Sequence, residues 1–423
     1  MPETKTMIDL IDMGKRAREA SYVLATLYTD TKNAVLHTIA DQLEAHTPHI
    51  LEANAQDLEL AHKNAVDPVW IRDRLDLTAR MTGIIADVRH VATLPDPVGE
   101  RFEERTLDSG ITAYKRRVPV GVLGVIYESR PNVTVDIATL ALKTGNAVIM
   151  RGGSDTLYSN MALAEVLQMA LAEHGLPSDA VQVIASTDRV YVGQMLKMHV
   201  YIDMLIPRGG SKLHDFCREH STIPVIIGGM GICHLYVDES ANLEASLPVI
   251  ENAKTQRPAV CNALDTLLVH EAVAKDFLPK VVKQLGKAGV VFKADPRALA
   301  YLDDERVLPA EPEDFDTEWM GLTLGLKVVS GLDEAVAHIR QHSTQHSDGI
   351  LTQTTAHAEA FLNTIDSACV YWNASTRFTD GSALGLGAEV AVSTQKLHAR
   401  GPMALAELTT YKWIIQGDYT SRL

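Results

Sequence analysis

The 423-residue chain reads as an α/β protein made of two domains, each built on a parallel sheet. Three observations predict this. Short apolar, β-rich runs alternate with helical patterns from Thr106 to Pro207, and a second such alternation runs from Cys261 to Asn373. Alternating strands and helices place neighbouring strands parallel, because each crossover helix returns the chain to the same edge of the sheet. The length suits two or three domains, and a chain with 46% hydrophobic and 22% charged residues has ample core and no disordered character.

Taken in order, the chain opens helical. From Thr6 to about Leu94 the apolar residues recur at helical spacing, with Asp30 and Asp67 as capping residues and no strand signal. Thr106–Glu128, TLDSGITAYKRRVPVGVLGVIYE, reads as strands, with Asp108, Ser109 and Gly110 as a hairpin turn. There follow a helix over Val135–Leu142 closed by Gly145, a strand AVIM, a helix ending at Gly175, a strand VQVIA, a helix near Val192–Met198 and a strand before Pro207. Beyond Cys261 come strand TLLV, helix Ala272–Gly286, strands GVVFK and LGLKVV, helix Leu332–His342, and strands GILTQ and CVYWN. The acidic stretch Asp303–Asp316 is expected as a surface loop. There is no internal repeat, low-complexity tract or Gly/Ser-rich linker.

The formal charge of −15 argues against nucleic acid or an anionic membrane as partner, since both reward clustered Lys and Arg. It leaves an anionic small substrate open. Cys217, Cys233, Cys261 and Cys369 are far apart, with no CxxC pair and no zinc spacing, so neither a disulfide framework nor a structural metal is implied. A reducing cytoplasm fits. The opening MPETKTMIDLIDMGKRAREA is an acid-bearing amphipathic helical pattern without a signal-peptide core, and no apolar run is long enough to span a bilayer.

The segment from Asn252 to His270, NAKTQRPAVCNALDTLLVH, carries the residue most in need of explanation. Pro258 ends the preceding helix, so a turn presents Cys261 in polar surroundings, beside Arg257, just before an apolar strand. That setting suits a thiolate nucleophile, although cysteine is also a common small core residue. Two glycine turns, Arg151–Gly152–Gly153–Ser154 and Arg208–Gly209–Gly210–Ser211, lie between a strand and a helix, where α/β sheets bind ligands. Glycine allows close backbone approach to phosphate, and a helix N-terminus offers unpaired N–H groups. Neither turn is GxGxxG and no GxxxxGK[ST] exists, so tight turns and phosphate contact both remain open. His338, His342 and His346 lie four apart, but no carboxylate or cysteine shares their spacing, so they are expected as solvated surface histidines and no metal site is assigned.

The stretches PVGVLGVIYESRPNVTVDIATLALKTGNAVIMRGG, PRGGSKL, IIGGMG, RPAVCNALDTLLVH and RFTDGSALGLGAEVAVSTQKLHARGPMALAELTTYKW resemble the gamma-glutamyl phosphate reductases, within the wider aldehyde dehydrogenase superfamily. The resemblance covers essentially the whole chain. It implies an aldehyde dehydrogenase-like fold: a cofactor-binding domain over 1–103 and 119–232 with part of 376–401, a catalytic domain over 233–375, and a β-strand oligomerisation flap from 104–118 and 402–423.

The implied reaction is NADPH-dependent reduction of L-glutamyl 5-phosphate to L-glutamate 5-semialdehyde and phosphate, the second step of proline biosynthesis from glutamate. Cys261 is then the nucleophile that forms a thioester, with Asn132 at the oxyanion and Arg130 as the alternative occupant of that place. A helix-capping role is equally open for Asn132. Arg151, Gly153, Ser154, Gly209, Gly210 and Ser211 are implied at NADPH/NADP+, with Glu318 at the nicotinamide ribose. At the place of the adenosine-binding lysine and carboxylate of other members stand Arg151 and Ser154, which favours a phosphorylated ribose. Arg130, Asn373, Arg377 and Asp380 are candidates for the substrate's carboxylate, ammonium and phosphate, with surface ion pairs as the plainer reading of Arg377 and Asp380. Most aldehyde dehydrogenases carry a water-activating glutamate where this chain has Ile226, which disfavours an oxidising, hydrolytic enzyme. A homo-oligomer and a glutamate kinase partner are further expectations. A catalytically idle dinucleotide-binding partner of that kinase is the alternative from another class.

Overall fold

The computed structural model describes residues 8–422, so the start of the N-terminal helical pattern, including Thr6, and the last residue of the 402–423 segment lie outside the described residues. These divide into two compact units. One comprises the described residues up to Ile227, Leu386–Ala391 and the described residues from Met403 onward; the other comprises Gly228–Gly385 with Val392–Pro402.

The first unit opens with the helices Leu10–Leu24, Thr29–Ala45, Thr47–Lys63 and Met81–Thr93, and a short helical turn Pro68–Trp70 that continues into Ile71–Leu75. In Thr29–Ala45 the buried Leu36, Ile39, Ala40 and Leu43 fall at spacings of three and four, the stripe that a core-facing helix needs. Asp67 caps Pro68–Trp70 through the Val69 N–H. Asp30 is no cap: the helix begins at Thr29, which leaves Asp30 in the first turn, where its charge meets the positive end of the dipole.

Four parallel strands follow in the order Val181–Val183, Ala147–Arg151, Val122–Tyr127, Met204–Arg208. Val122–Tyr127 is buried at every residue, as a parallel strand covered on both faces should be. Pro207 lies inside Met204–Arg208, and an edge strand tolerates its missing N–H. Helix Asn132–Lys143 ends at Gly145, whose φ of +73° is the left-handed stop that the sequence predicts. The hairpin is present too: Arg101–Thr106, Thr112–Pro119 and Thr409–Gln416 form an antiparallel sheet, on which alternate residues Tyr411, Trp413 and Ile415 stand exposed.

The second unit holds seven parallel strands in the order Val307–Pro309, Val291–Ala294, Thr323–Val329, Leu264–His270, Cys233–Val237, Ser347–Leu351, Cys369–Trp372. Cys233–Val237 escapes the sequence reading because His234 interrupts its apolar run; the fold buries that ring against Asp348 at 2.9 Å. Asp303–Asp316 is not a plain loop, since Val307–Pro309 pairs as the edge strand and Pro312–Asp316 forms a 3-10 turn. Three residues are too few to show a strand's alternation.

The solvated-histidine expectation is also corrected. His338 and His346 are buried, and His342, the most accessible of the three, bonds Asp316 at 2.6 Å. The spacing of four puts His338 on the inner face of helix Leu332–His342, edge-on to both Phe315 and His234. Burial holds the His338 imidazole down to about 2 and that of His346 to about 4, so both rings are neutral. No helix among the described residues is long and apolar enough to cross a membrane.

Candidate active site

Helix Leu243–Thr255 stops ahead of Pro258, and residues 256–263 form turns before strand Leu264–His270 begins. Cys261 sits in these turns, partly exposed, at the entry edge of the sheet's central strand. The adjacent strand, Cys233–Val237, is entered through Gly231, whose backbone lies directly against the cysteine. A Cβ on Gly231 would fall 1.6 Å from the Cys261 carbonyl oxygen, so only glycine fits there. The Gly231 N–H donates to Glu318 Oε1 at 2.9 Å, and the Cys233 thiol approaches the Cys261 carbonyl at 3.2 Å. Burial pushes the Cys233 thiol well above the ordinary range, which leaves it an inert neighbour.

The other wall comes from residues 376–379. Asn262 Nδ2 donates to the Thr379 carbonyl at 2.8 Å, the Thr376 hydroxyl donates to the Asn262 carbonyl at 2.7 Å, and Arg377 Nη1 donates to Asn262 Oδ1. Arg377 Nε also reaches Gln256 Oε1 at 3.0 Å. The guanidinium therefore lies beside the cysteine turn and interacts with Arg257, Asp380, Cys261 and Cys233; burial, the largest effect on it, lowers its pKa. Below, Asp265 accepts from the Trp319 N–H at 3.2 Å and pairs with buried Lys254 at 3.6 Å. Burial raises the Asp265 carboxyl to about 6 and the Glu318 carboxyl above its usual range.

Of the residues proposed for substrate in this unit, Arg377 alone bonds to the cysteine segment in this way. Asn373, at φ +55°, accepts from the Thr352 N–H at 2.9 Å and donates to the Thr352 carbonyl at 2.8 Å, so its amide acts as a strand-end clamp. Asp380 accepts from the Ser382 and Ala383 N–H groups, both at 3.0 Å, which makes it a turn cap that also faces Arg377.

In the first unit Arg151 ends its strand only 8% exposed. Its Nη2 donates to the Thr187 carbonyl at 2.9 Å, its Nε is buried without an acceptor, and Arg189, Asp155 and Asp188 lie within electrostatic range. The unsatisfied guanidinium N–H suits an added acceptor. Gly153 is crowded by Asp155 and the Ser129 backbone, while Ser154 is exposed in the following turn. The second glycine turn differs: Glu128 Oε2 takes the Gly210 N–H at 3.1 Å and lies against Gly209, so a carboxylate of the chain itself already meets the start of helix Ser211–His220. Asn132 is the first residue of its helix, with Pro131 at the cap position, so the Asn-cap reading does not hold. Its Nδ2 donates to Asp136 at 2.9 Å and its Oδ1 is buried without a partner; burial raises Asp136 to about 6. Arg130, just before it, is half-buried, and Ile226 is buried.

Sequence reasoning passes over Gly231, Asn262, Thr376 and Thr379. A signal existed for two of them: a glycine in IIGGMG without a turn assigned to it, and a polar residue heading an apolar strand.

The aldehyde dehydrogenase family model matches residues 4–298. A gamma-glutamyl phosphate reductase of Escherichia coli O1:K1 is 57% identical over 416 residues, 98% of this chain and all of that one. The crystal structure of a gamma-glutamyl phosphate reductase from Thermotoga maritima superposes with a TM-score of 0.96 at 44% identity, covering 98% of this chain and 100% of that one. An engineered glycolyl-CoA reductase with bound NADP+ shares the fold, with a TM-score of 0.68 at 16% identity over 97% of each chain.

Proposed function

Because the chain belongs to the aldehyde dehydrogenase family, we infer that Cys261 serves as its acyl carrier and that it reduces L-glutamyl 5-phosphate to L-glutamate 5-semialdehyde. The carrying observation is the placement of Cys261 in a partly exposed turn beside Arg377 and Arg257. The activity is that of relatives 57% identical over nearly the whole chain, which are named for the reductase and not for an idle kinase partner or an oxidising enzyme.

The Cys261 thiolate attacks the acyl-phosphate carbonyl; the C–O bond to phosphate breaks, inorganic phosphate leaves, and a thioester remains on sulfur. Arg377 stabilises the anionic end of the substrate and the thiolate. Asn132, whose amide NH2 donates to Asp136, is the proposed oxyanion donor, with Arg130 as the alternative. The family binds a nicotinamide dinucleotide, and the residues fit one: Arg151 with its unsatisfied Nε and Gly153 and Ser154 hold the adenosine side, Gly209, Gly210 and Ser211 line the neighbouring turn, and Glu318 holds the ribose. NADPH is the form proposed, since Arg151 has an unsatisfied Nε and Ser154 adds no carboxylate against a 2'-phosphate. When bound, it supplies the hydride that takes the thioester to the aldehyde level.

Ile226 replaces, at the matching sequence position, the water-activating glutamate of other members, so phosphate and not water is proposed to release the acyl group in reverse. The antiparallel sheet with exposed Tyr411, Trp413 and Ile415 supports a subunit-joining flap, and glutamate kinase is the proposed source of the labile acyl phosphate. The test is the reverse reaction: pyrroline-5-carboxylate, the cyclised semialdehyde, should reduce NADP+ only when phosphate is added. Rapid phosphate-independent NADP+ reduction would overturn the reading.

A further inference from the structure

We propose that Asn262 is a positioning residue that holds Arg377 beside Cys261 without neutralising it, leaving the guanidinium's charge directed at the thiolate and at the substrate's anionic group. The inference rests on the reading of Cys261 as acyl carrier and adds a mechanism for its electrostatics.

Asn262 follows Cys261 in the chain and is only 4% exposed. Three of its hydrogen-bonding groups engage residues 376–379: Nδ2 with the Thr379 carbonyl, the main-chain carbonyl with the Thr376 hydroxyl, and Oδ1 with Arg377. Arg377 is thus fastened on two edges, by Gln256 on one side of Cys261 and by Asn262 on the other. Both acceptors are neutral amides. A half-buried arginine is ordinarily matched by a carboxylate, and a carboxylate at 262 would still accept from Arg377 Nη1 with one oxygen, while its other oxygen would replace the Nδ2 that donates to the Thr379 carbonyl. It would also cancel most of the field that Arg377 exerts on its neighbours. The charged and titratable groups facing Arg377 are Arg257, Asp380, Cys261 and Cys233. Asp380, whose carboxylate accepts the Ser382 and Ala383 N–H groups, is the one acid among them. An amide therefore supplies the hold without adding a second acid to the site.

The experiment compares wild type, Asn262→Ala, Asn262→Asp, Arg377→Gln and the Asn262→Ala/Arg377→Gln double variant, each checked by thermal melting. The readouts are the pH midpoint of Cys261 alkylation by iodoacetamide, followed by peptide mass spectrometry, and the apparent KM for phosphate in the reverse reaction. Arg377→Gln should raise the midpoint by about one pH unit, the lower end of the effect of an opposite charge within a few ångströms. Asn262→Ala should shift it in the same direction by less and raise the phosphate KM. Asn262→Asp should shift it more than alanine does, although it keeps an acceptor for Arg377 Nη1. In the Arg377→Gln background, Asn262→Ala should add nothing.

A wild-type midpoint and phosphate KM in folded Asn262→Ala would overturn the proposal, as would equal shifts for alanine and aspartate or additive effects in the double variant. If Asn262→Ala fails to fold, the near-isosteric Asn262→Asp against Arg377→Gln decides: a shift no larger than zero overturns it. Alkylation needs no turnover, so absence of reverse activity in wild type would sink the reading of the enzyme while leaving these midpoints interpretable.

Discussion

Gly231→Ala should disable the enzyme through backbone packing against Cys261 alone. The added Cβ would lie 1.6 Å from the Cys261 carbonyl oxygen, 2.6 Å from its carbonyl carbon and 3.2 Å from its Cα. All three are backbone atoms, so no side chain can swing aside. Reaching the 3.4 Å where ordinary contact begins requires a displacement of roughly 1.8 Å, shared between the two entry loops. Overpacking of this kind costs about 1–3 kcal/mol of stability. The catalytic loss should be larger in proportion, because a misplacement of about 1 Å lowers the rate ~100-fold, or ~2.7 kcal/mol of barrier. The Gly231 N–H also anchors Glu318, so the shift reaches a second group of the site. The assay is NADP+ reduction by pyrroline-5-carboxylate and phosphate, with a melting curve on the same sample. Gly83→Ala is the matched control: it lies in helix Met81–Thr93 with nothing within 4 Å of the added Cβ, and should stabilise by about 0.5–1 kcal/mol without changing turnover. A Gly231→Ala enzyme with kcat/KM within twofold of wild type would refute the packing argument.

Cys261→Ser should keep the fold and dinucleotide binding yet lose turnover by several orders of magnitude, since a serine hydroxyl is scarcely ionised here; comparable reverse activity would remove the thioester step. Ser154→Glu should lower the kcat/KM ratio of NADPH to NADH by placing a like charge against the 2'-phosphate, and an unchanged ratio would mean that this phosphate is read elsewhere. His338 and His346 have folded values near 2 and near 4, below the unfolded value of 6.5. The unfolded chain therefore binds more protons between pH 6.5 and about 4, and stability falls as the pH is lowered through that window, by up to about 1.4 kcal/mol per pH unit for each ring. His338→Leu should flatten the dependence of urea unfolding free energy on pH between 6 and 4; an identical slope would show that the ring is protonated in the fold.

The sequence by itself determined the order of most elements and the placement of Cys261, because both depend on neighbours in the chain. Pro258 follows the end of a helix, Gly145 and Gly110 take the left-handed conformation that their turns demand, and the apolar runs AVIM and TLLV need parallel partners on both sides. Family resemblance then gave those elements a chemistry. Only the tertiary structure decided what surrounds the cysteine, because its partners lie far along the chain: Arg377 is 115 residues from Asn262, and Glu318 is 87 from Gly231. The same distance explains the corrected expectations. His338 carries the sequence signature of a surface histidine, and Phe315 and His234 bury it. Local patterns reveal turns and periodicity through steric and hydrophobic rules that act over a few residues, whereas hydrogen-bond partners and burial are set by which loops the closed sheets bring side by side.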